Sequence, residues 1–234
     1  MRIMLKKSIL SVLALSLGLT FAGCARHPTD PVNDPLEGYN RFMYAFNTDI
    51  DHLVIRPIAI VYRDVTPPAL KKGVTNGIDN LDEIPTFGND FLQGRFKYMA
   101  LDFWRLVINT TFGVGGLFDV ASRWGLPKHV ETFGLTLAKW RGGRTSAYFV
   151  IPILQPSTMQ NAVGDLVDLF MEPYTYFSDS NYAYAITGVR IINKREHLLA
   201  ADEMIKNAFD PYIFVRDATL QQEKDDIEKN QALK

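Results

Sequence analysis

The chain has 234 residues, 25 Lys+Arg against 26 Asp+Glu for a formal net charge of −1, and one cysteine. That length supports one domain with a sizeable core. A single thiol excludes an intrachain disulfide, a Cys-rich metal site and a CxxC redox pair, and the near-balanced charge argues against nucleic-acid binding.

Residues 1–23 read as a lipoprotein signal peptide. Arg2, Lys6 and Lys7 make a basic start, the apolar run from Ile9 to Phe21 is too short to span a bilayer, and Ala22-Gly23 places small residues before Cys24. Cys24 is therefore the expected lipid attachment point. Loss of the leader lowers Lys+Arg from 25 to 22 against 26 acidic residues, a net charge of −4 for the mature chain. Ala25 stands where Asp would signal retention at the inner membrane, so the outer membrane is favoured. Residues 24–33, broken by Pro28 and Pro31, form a lipidated tether.

Residues 34–220 are expected to form one helical domain. Asp34-Pro35, Thr66-Pro67 and Asp210-Pro211 have the form of an N-cap followed by proline, and Glu37 completes a capping-box-like start. Leu36, Tyr39, Met43, Phe46, Ile50 and Leu53 then recur at helical steps, an amphipathic and aromatic-rich face. Further helices are expected over 67–81 and 86–93, with Gly94 as terminator, and over 96–112. That last stretch is the most apolar of the mature chain, yet Asp102 and Arg105 interrupt it and could pair on one face. Gly113, Gly115 and Gly116 break the chain before helical pattern resumes over 117–124 and 133–140. Residues 148–156 carry two prolines in an apolar run and read as a buried extended segment. Helices return over 159–171 and 182–209, and the charged residues 221–234 read as an exposed or frayed tail. The fold class is mainly α.

Catalytic motifs are absent. No nucleophile elbow, zinc-binding His-Glu-x-x-His or phosphate-binding Gly-x-x-x-x-Gly-Lys loop occurs, and the four histidines are scattered. The pairs Asp49/Asp51 and Asp165/Asp168 are read as solvated helix surface, with too few oxygens for a cation site. No cofactor and no metal are expected.

The residues Asp34-Pro35-Leu36-Glu37-Gly38-Tyr39-Asn40-Arg41, with Met43, Phe46, Asn47 and Arg56-Pro57-Ile58-Ala59, resemble the opening of the MlaA (VacJ) family of outer-membrane lipoproteins. The similarity runs on through Asn80-Leu81, Phe91-Leu92-Gln93-Gly94, Arg105, Asn109-Thr110-Thr111, Phe118-Asp119-Val120-Ala121, Phe133-Gly134 and Asp210-Pro211-Tyr212. The chain departs from the family pattern at Gly77, Ser146-Ala147, Gln155 and Gln160-Asn161.

The resemblance implies a ring of amphipathic helices around a central amphipathic channel, lying in the inner leaflet of the outer membrane beside a trimeric porin. It implies collection of phospholipid mislaid in the outer leaflet and delivery to a soluble periplasmic carrier of the Mla system, which preserves lipid asymmetry. Tyr39, Met43, Phe46 and Asn47 would form a ring wall or the surface that stops lipid entering from the inner leaflet, Asn109, Gly113, Gly115 and Gly116 a mobile gating hairpin, and Arg105 a headgroup contact or the partner of Asp102. A lipid-anchored phospholipase and a porin-associated structural lipoprotein are the rival expectations.

Overall fold

A computed structural model describes residues 34–177 and 179–233. The leader, Cys24 and the tether lie outside the described residues. The domain is mainly α, as expected: α1 Glu37–Ile50, α2 Arg56–Val65, α3 Pro68–Leu92, α4 Phe96–Thr111, α5 Val120–Arg123, α6 Phe133–Trp140, α7 Met159–Met171, α8 Ser180–Leu198, α9 Asp202–Lys206 and α10 Pro211–Ala232. Two strands, β1 Tyr148–Val150 and β2 Pro156–Thr158, pair antiparallel with Phe149 opposite Ser157. The buried extended segment expected over 148–156 is thus a short hairpin.

The long antiparallel pair α3–α4 is the most extensive helix contact, with α6 packed on α7 and α2 on α8. Gly94 at φ 72° ends α3, and Arg95 N donates to Asp90 O at 2.8 Å, so the chain reverses within three residues. Helices α6 and α7 meet backbone to backbone. A Cβ on Gly164 would lie 2.3 Å from Gly134 N, so only glycine permits that approach. The hairpin packs between α1 and α10, where Tyr148, Val150 and Tyr212 form the apolar cluster supported by Met43, Tyr44 and Leu220.

Several expectations are corrected. The helices expected over 67–81 and 86–93 are one helix of 25 residues, Pro68–Leu92, with Pro85 inside it and buried. Pro85 has no N–H to give the Leu81 carbonyl a turn earlier, and its own carbonyl accepts from Asn89 Nδ2 at 2.9 Å. The first helix runs on through a π turn, Asp51–Ile55, into α2; the wide turn accommodates Pro57 near the start of the next segment. The resumed helix expected over 117–124 is only α5, and that over 182–209 ends as α8 at Leu198, with a 3₁₀ turn and α9 beyond.

Capping differs as well. Only Asp210 caps as expected, accepting from Tyr212 N at 3.0 Å and Ile213 N at 3.3 Å. Thr66 closes α2 instead of opening α3. Asp34 caps nothing: its carboxylate accepts from Asn40 Nδ2 at 2.7 Å and from the Tyr212 hydroxyl, while Glu37 pairs with Arg41 at 2.7 Å. The charged tail is no tail. Helix α10 continues to Ala232 and buries Glu223, Ile227 and Asn230.

Candidate functional site: an apolar exterior over a buried polar frame

Among the described residues, eight apolar residues are buried against twenty-two polar or charged ones, and thirty-six large apolar side chains are exposed. A domain stabilised in water has the opposite balance. Helix α1, the π turn and α2 turn Phe42, Leu53, Val54, Ile58, Val61 and Val65 outward, and the α3–α4 end shows Phe91, Phe96, Phe103 and Trp104. Around the α4–α5 turn Phe112, Val114, Phe118 and Trp124 are exposed, with the Phe112 and Trp124 rings 5.2 Å apart. Helix α7 adds Val163, Leu166 and Phe170. Among the described residues no helix is long and apolar enough to cross a membrane.

Buried polar groups hold this shape from within. Arg105 donates from Nε to Glu83 Oε1 at 2.6 Å, and from Nη1 to Ser122 Oγ at 3.0 Å and Leu126 O at 2.5 Å. Asp119, 3.5 Å from Arg105 Nη2, also caps α5 by accepting from Ser122 N at 3.1 Å. A second network joins the α3–α4 corner to α10 and α6. Arg95 Nη1 meets Glu131 Oε1 at 2.7 Å and its Nη2 donates to Asn230 Oδ1 at 2.9 Å; Gln93 Nε2 donates to Glu131 and to Thr136 Oγ1. Asn89 carries it to α7, donating to Asp168 Oδ1 at 2.8 Å, and Asp168 also accepts from Phe133 N at 2.9 Å.

Burial sets the charge state of these groups. It pushes Asp102 up to about 10, aided by the neighbouring Asp90 carboxyl, and lifts Asp168 to about 6 against the bonds from Phe133 N and Asn89. Glu172 rises to about 7 through burial, with Arg190 opposing the shift. Glu83 and Glu131 are raised for the same reason, with Arg105 and Gln93 respectively giving the first opposing contribution.

The first helix presents its expected site residues on two faces. Tyr39 stacks on Phe149 with ring centroids 5.4 Å apart, Met43 packs on the Tyr148–Tyr212 cluster, and Asn47 clamps the β1–β2 connection. Asn47 donates to Ile151 O at 2.8 Å and Leu154 O at 2.7 Å, and accepts from Ile153 N at 2.7 Å, where Ile153 has φ 65°. These three hold the hairpin, while Phe46 faces outward.

The second group is more firmly held than expected. Arg105, expected as a headgroup contact, is 1% exposed and bonded to Glu83, Ser122 and Leu126, so it anchors the frame; its partner is Glu83, not Asp102. Asn109 accepts from Ala121 N at 2.9 Å and donates to Asp119 at 3.3 Å, fastening the turn. A Cβ on Gly113 would meet Phe118 O at 2.2 Å, and one on Gly116, at φ 92°, would meet Asn80 Cβ at 2.6 Å. Gly115, at φ 69°, has open space beside it. The run is pinned to α3 by Asn80, whose Nδ2 donates to Thr110 Oγ1, and by Asn76, which donates to Leu117 O.

Asp90, Asp102 and His129 lie together between α3, α4 and the α5–α6 connection, and are the one group among the described residues whose donor atoms could hold a metal ion. At the departures from the family pattern, Ser146 is buried against Glu223 and Gln160 accepts from Arg141 at 3.0 Å, so both positions are integrated. Glu83, Glu131 and Asp119 escape a reading of the sequence by apolar periodicity because each is an acid placed where that reading expects a surface.

Residues 32–226 match the model of the MlaA lipoprotein family. An uncharacterized protein of Rickettsia felis is 35% identical over 189 residues, covering 80% of this chain and 75% of its own. The intermembrane phospholipid transport system lipoprotein MlaA of Escherichia coli K12 is 36% identical over 218 residues, 89% of this chain and 85% of that one. A chain solved in work on the structural basis for maintenance of bacterial outer membrane lipid asymmetry superposes with a TM-score of 0.71 at 33% identity, covering 83% of this chain and 98% of its own. With both the sequence blocks and the helical architecture accounted for, the chain belongs to the MlaA lipoprotein family.

Proposed function

We propose that the chain is an outer-membrane lipoprotein that takes up phospholipid mislaid in the outer leaflet and passes it to a soluble periplasmic carrier, maintaining lipid asymmetry. Attached through Cys24 and seated in the inner leaflet beside a trimeric porin, it acts as a passive amphipathic conduit and not as a phospholipase. The likeness to the Escherichia coli transport lipoprotein supports this reading. The observation that carries it is the inverted polarity: among the described residues, thirty-six exposed large apolar side chains over a frame of buried polar ones.

That inversion answers a physical requirement. At about 0.8 kcal/mol per methylene, two acyl chains of about 16 carbons in water cost on the order of 25 kcal/mol. A carrier of such a molecule needs apolar surface for the tails and a body that keeps its shape without a conventional apolar core. The buried networks around Arg105 and Arg95 supply the second, the exposed aromatics the first. The sequence carries no nucleotide-binding Gly-x-x-x-x-Gly-Lys loop, and on this reading direction is set by the partners.

Mass spectrometry of lipid copurified with the membrane-extracted protein tests the reading. Intact diacyl phospholipid is expected. Release of fatty acid from phospholipid vesicles, lost on substitution of one serine or histidine, would establish the phospholipase instead, and absence of bound lipid would favour a structural lipoprotein.

A further inference from the structure

We propose that Asp90, Asp102 and His129 form a binding site for one divalent transition-metal cation of the zinc class. The residues come from α3, α4 and the α5–α6 connection, and one ligand atom from each lies within 4.8 Å of the others. His129 Nδ1 is 3.1 Å from Asp102 Oδ1, close to the edge of about 3.3 Å of a tetrahedron with metal–ligand bonds of about 2.0 Å. His129 Nε2 is 2.8 Å from Asp90 Oδ2.

The independent observation is what these atoms lack. Asp90 and Asp102 are each 0% exposed; Asp90 Oδ1 and Asp102 Oδ2 have no hydrogen-bond partner, and Asp102 Oδ1 has the His129 Nδ1 beside it at 3.1 Å. Unpaired acceptors in such a place are costly, and two carboxylates facing one another offer only repulsion or a shared proton. A cation satisfies both. The imidazole fits too, because a neutral ring donates from only one nitrogen and here both face carboxylates. With the metal on one nitrogen, the other donates its hydrogen to a carboxylate, the arrangement that fixes a metal-bound histidine.

The donor set selects the metal. One nitrogen and two carboxylates carry a charge of −2 against a divalent ion, and so few oxygens, buried, do not suit calcium, which takes 6–8. Glu83, 2% exposed, acts electrostatically on Asp102 from outside the ligand set, and a water would complete the coordination. Tyr98 packs edge-on against the His129 ring at 5.2 Å and limits its rotation. A bound ion would tie α3, α4 and the α5–α6 connection together.

Tag-free full-length protein, stripped with a chelator in detergent and dialysed, is titrated with zinc chloride, and retained metal is measured after gel filtration. One zinc per chain is expected, with a rise in Tm of roughly 5 °C or more at hundredfold excess over Kd. Asp102→Asn should abolish both, whereas His52→Ala and His197→Ala should leave both unchanged. Cobalt substituted into the unmutated protein should give the visible absorption of a four-coordinate nitrogen–oxygen site, a readout that stands even where Asp102→Asn fails to fold. No retained zinc, zinc retained equally by a folded Asp102→Asn, or cobalt showing only the spectrum of the hydrated ion would each overturn the proposal.

Discussion

Arg105 on α4 and Glu83 on α3 pair at 2.6 Å with 1% and 2% of their side chains exposed, so the longest helix pair is locked by a fully desolvated ion pair. Desolvation of such a pair is offset by further hydrogen bonds, which Ser122 and Leu126 supply to Nη1, with Asp119 beside Nη2. Either partner alone is a buried charge. Glu83→Gln and Arg105→Met should each lower stability by about 3–5 kcal/mol, measured by denaturant unfolding in detergent. Combining Glu83→Leu with Arg105→Met in one chain should recover part of the loss, because no charge is then left buried without a partner. A single variant as stable as the parent would show that the pair does not hold the helices.

The glycines of the α4–α5 turn can be separated by what each would touch. Gly115→Ala meets open space but a positive φ, and should cost about 1 kcal/mol. Gly116→Ala adds a clash with Asn80 Cβ at 2.6 Å, and Gly113→Ala one with backbone oxygens at 2.2 Å and 2.3 Å, so both should cost clearly more. Thermal unfolding gives the order. Equal small losses at all three, with transport impaired, would restore the mobile hairpin.

Removal of residues 221–234 should destabilise the whole domain and not merely trim it. Glu223 accepts from Thr158 Oγ1 at 2.6 Å, and Asn230 bonds Gln93 at 3.2 Å, so the truncation unpartners groups in the hairpin and at the α3–α4 corner. Limited proteolysis of the truncated protein should open sites near 93–95 and 146–158 that resist cleavage in the full chain. Unchanged digestion would mean that α10 is dispensable past Leu220.

The pH dependence has a definite sign. Glu172 is held near 7 against an ordinary value of 4.5, so the folded state binds its proton more tightly than the unfolded state. Its contribution to stability is therefore full below about 4.5 and is lost as pH rises through 7; Asp168, near 6, acts in the same direction over 3.8 to 6. Stability in detergent should fall by on the order of 1–3 kcal/mol between pH 5 and pH 8. Glu172→Gln should flatten that slope. A slope of opposite sign, or one unchanged in the variant, would contradict the assignment.

What the sequence disclosed and what it concealed follow from the same inversion. Helices α6 and α7 were legible over their whole length because Thr132 and Thr158 cap them and apolar spacing is regular. Pro85 concealed the continuity of α3, since a proline ordinarily ends or kinks a helix and here lies buried inside one. The polar run of α10 looked like surface because periodicity rules assume that buried means apolar, and here Glu223 and Asn230 are among the residues inside. The same assumption left Arg105 free to be a headgroup contact when its partner, Glu83, was 22 positions away on another helix.

The central claim is that this chain moves phospholipid out of the outer leaflet. The most direct measurement is the amount of surface-exposed phospholipid in cells lacking the chain and in the same cells with it restored. A rise on deletion that is reversed by the intact chain is expected; outer-leaflet phospholipid unchanged by deletion would contradict the account.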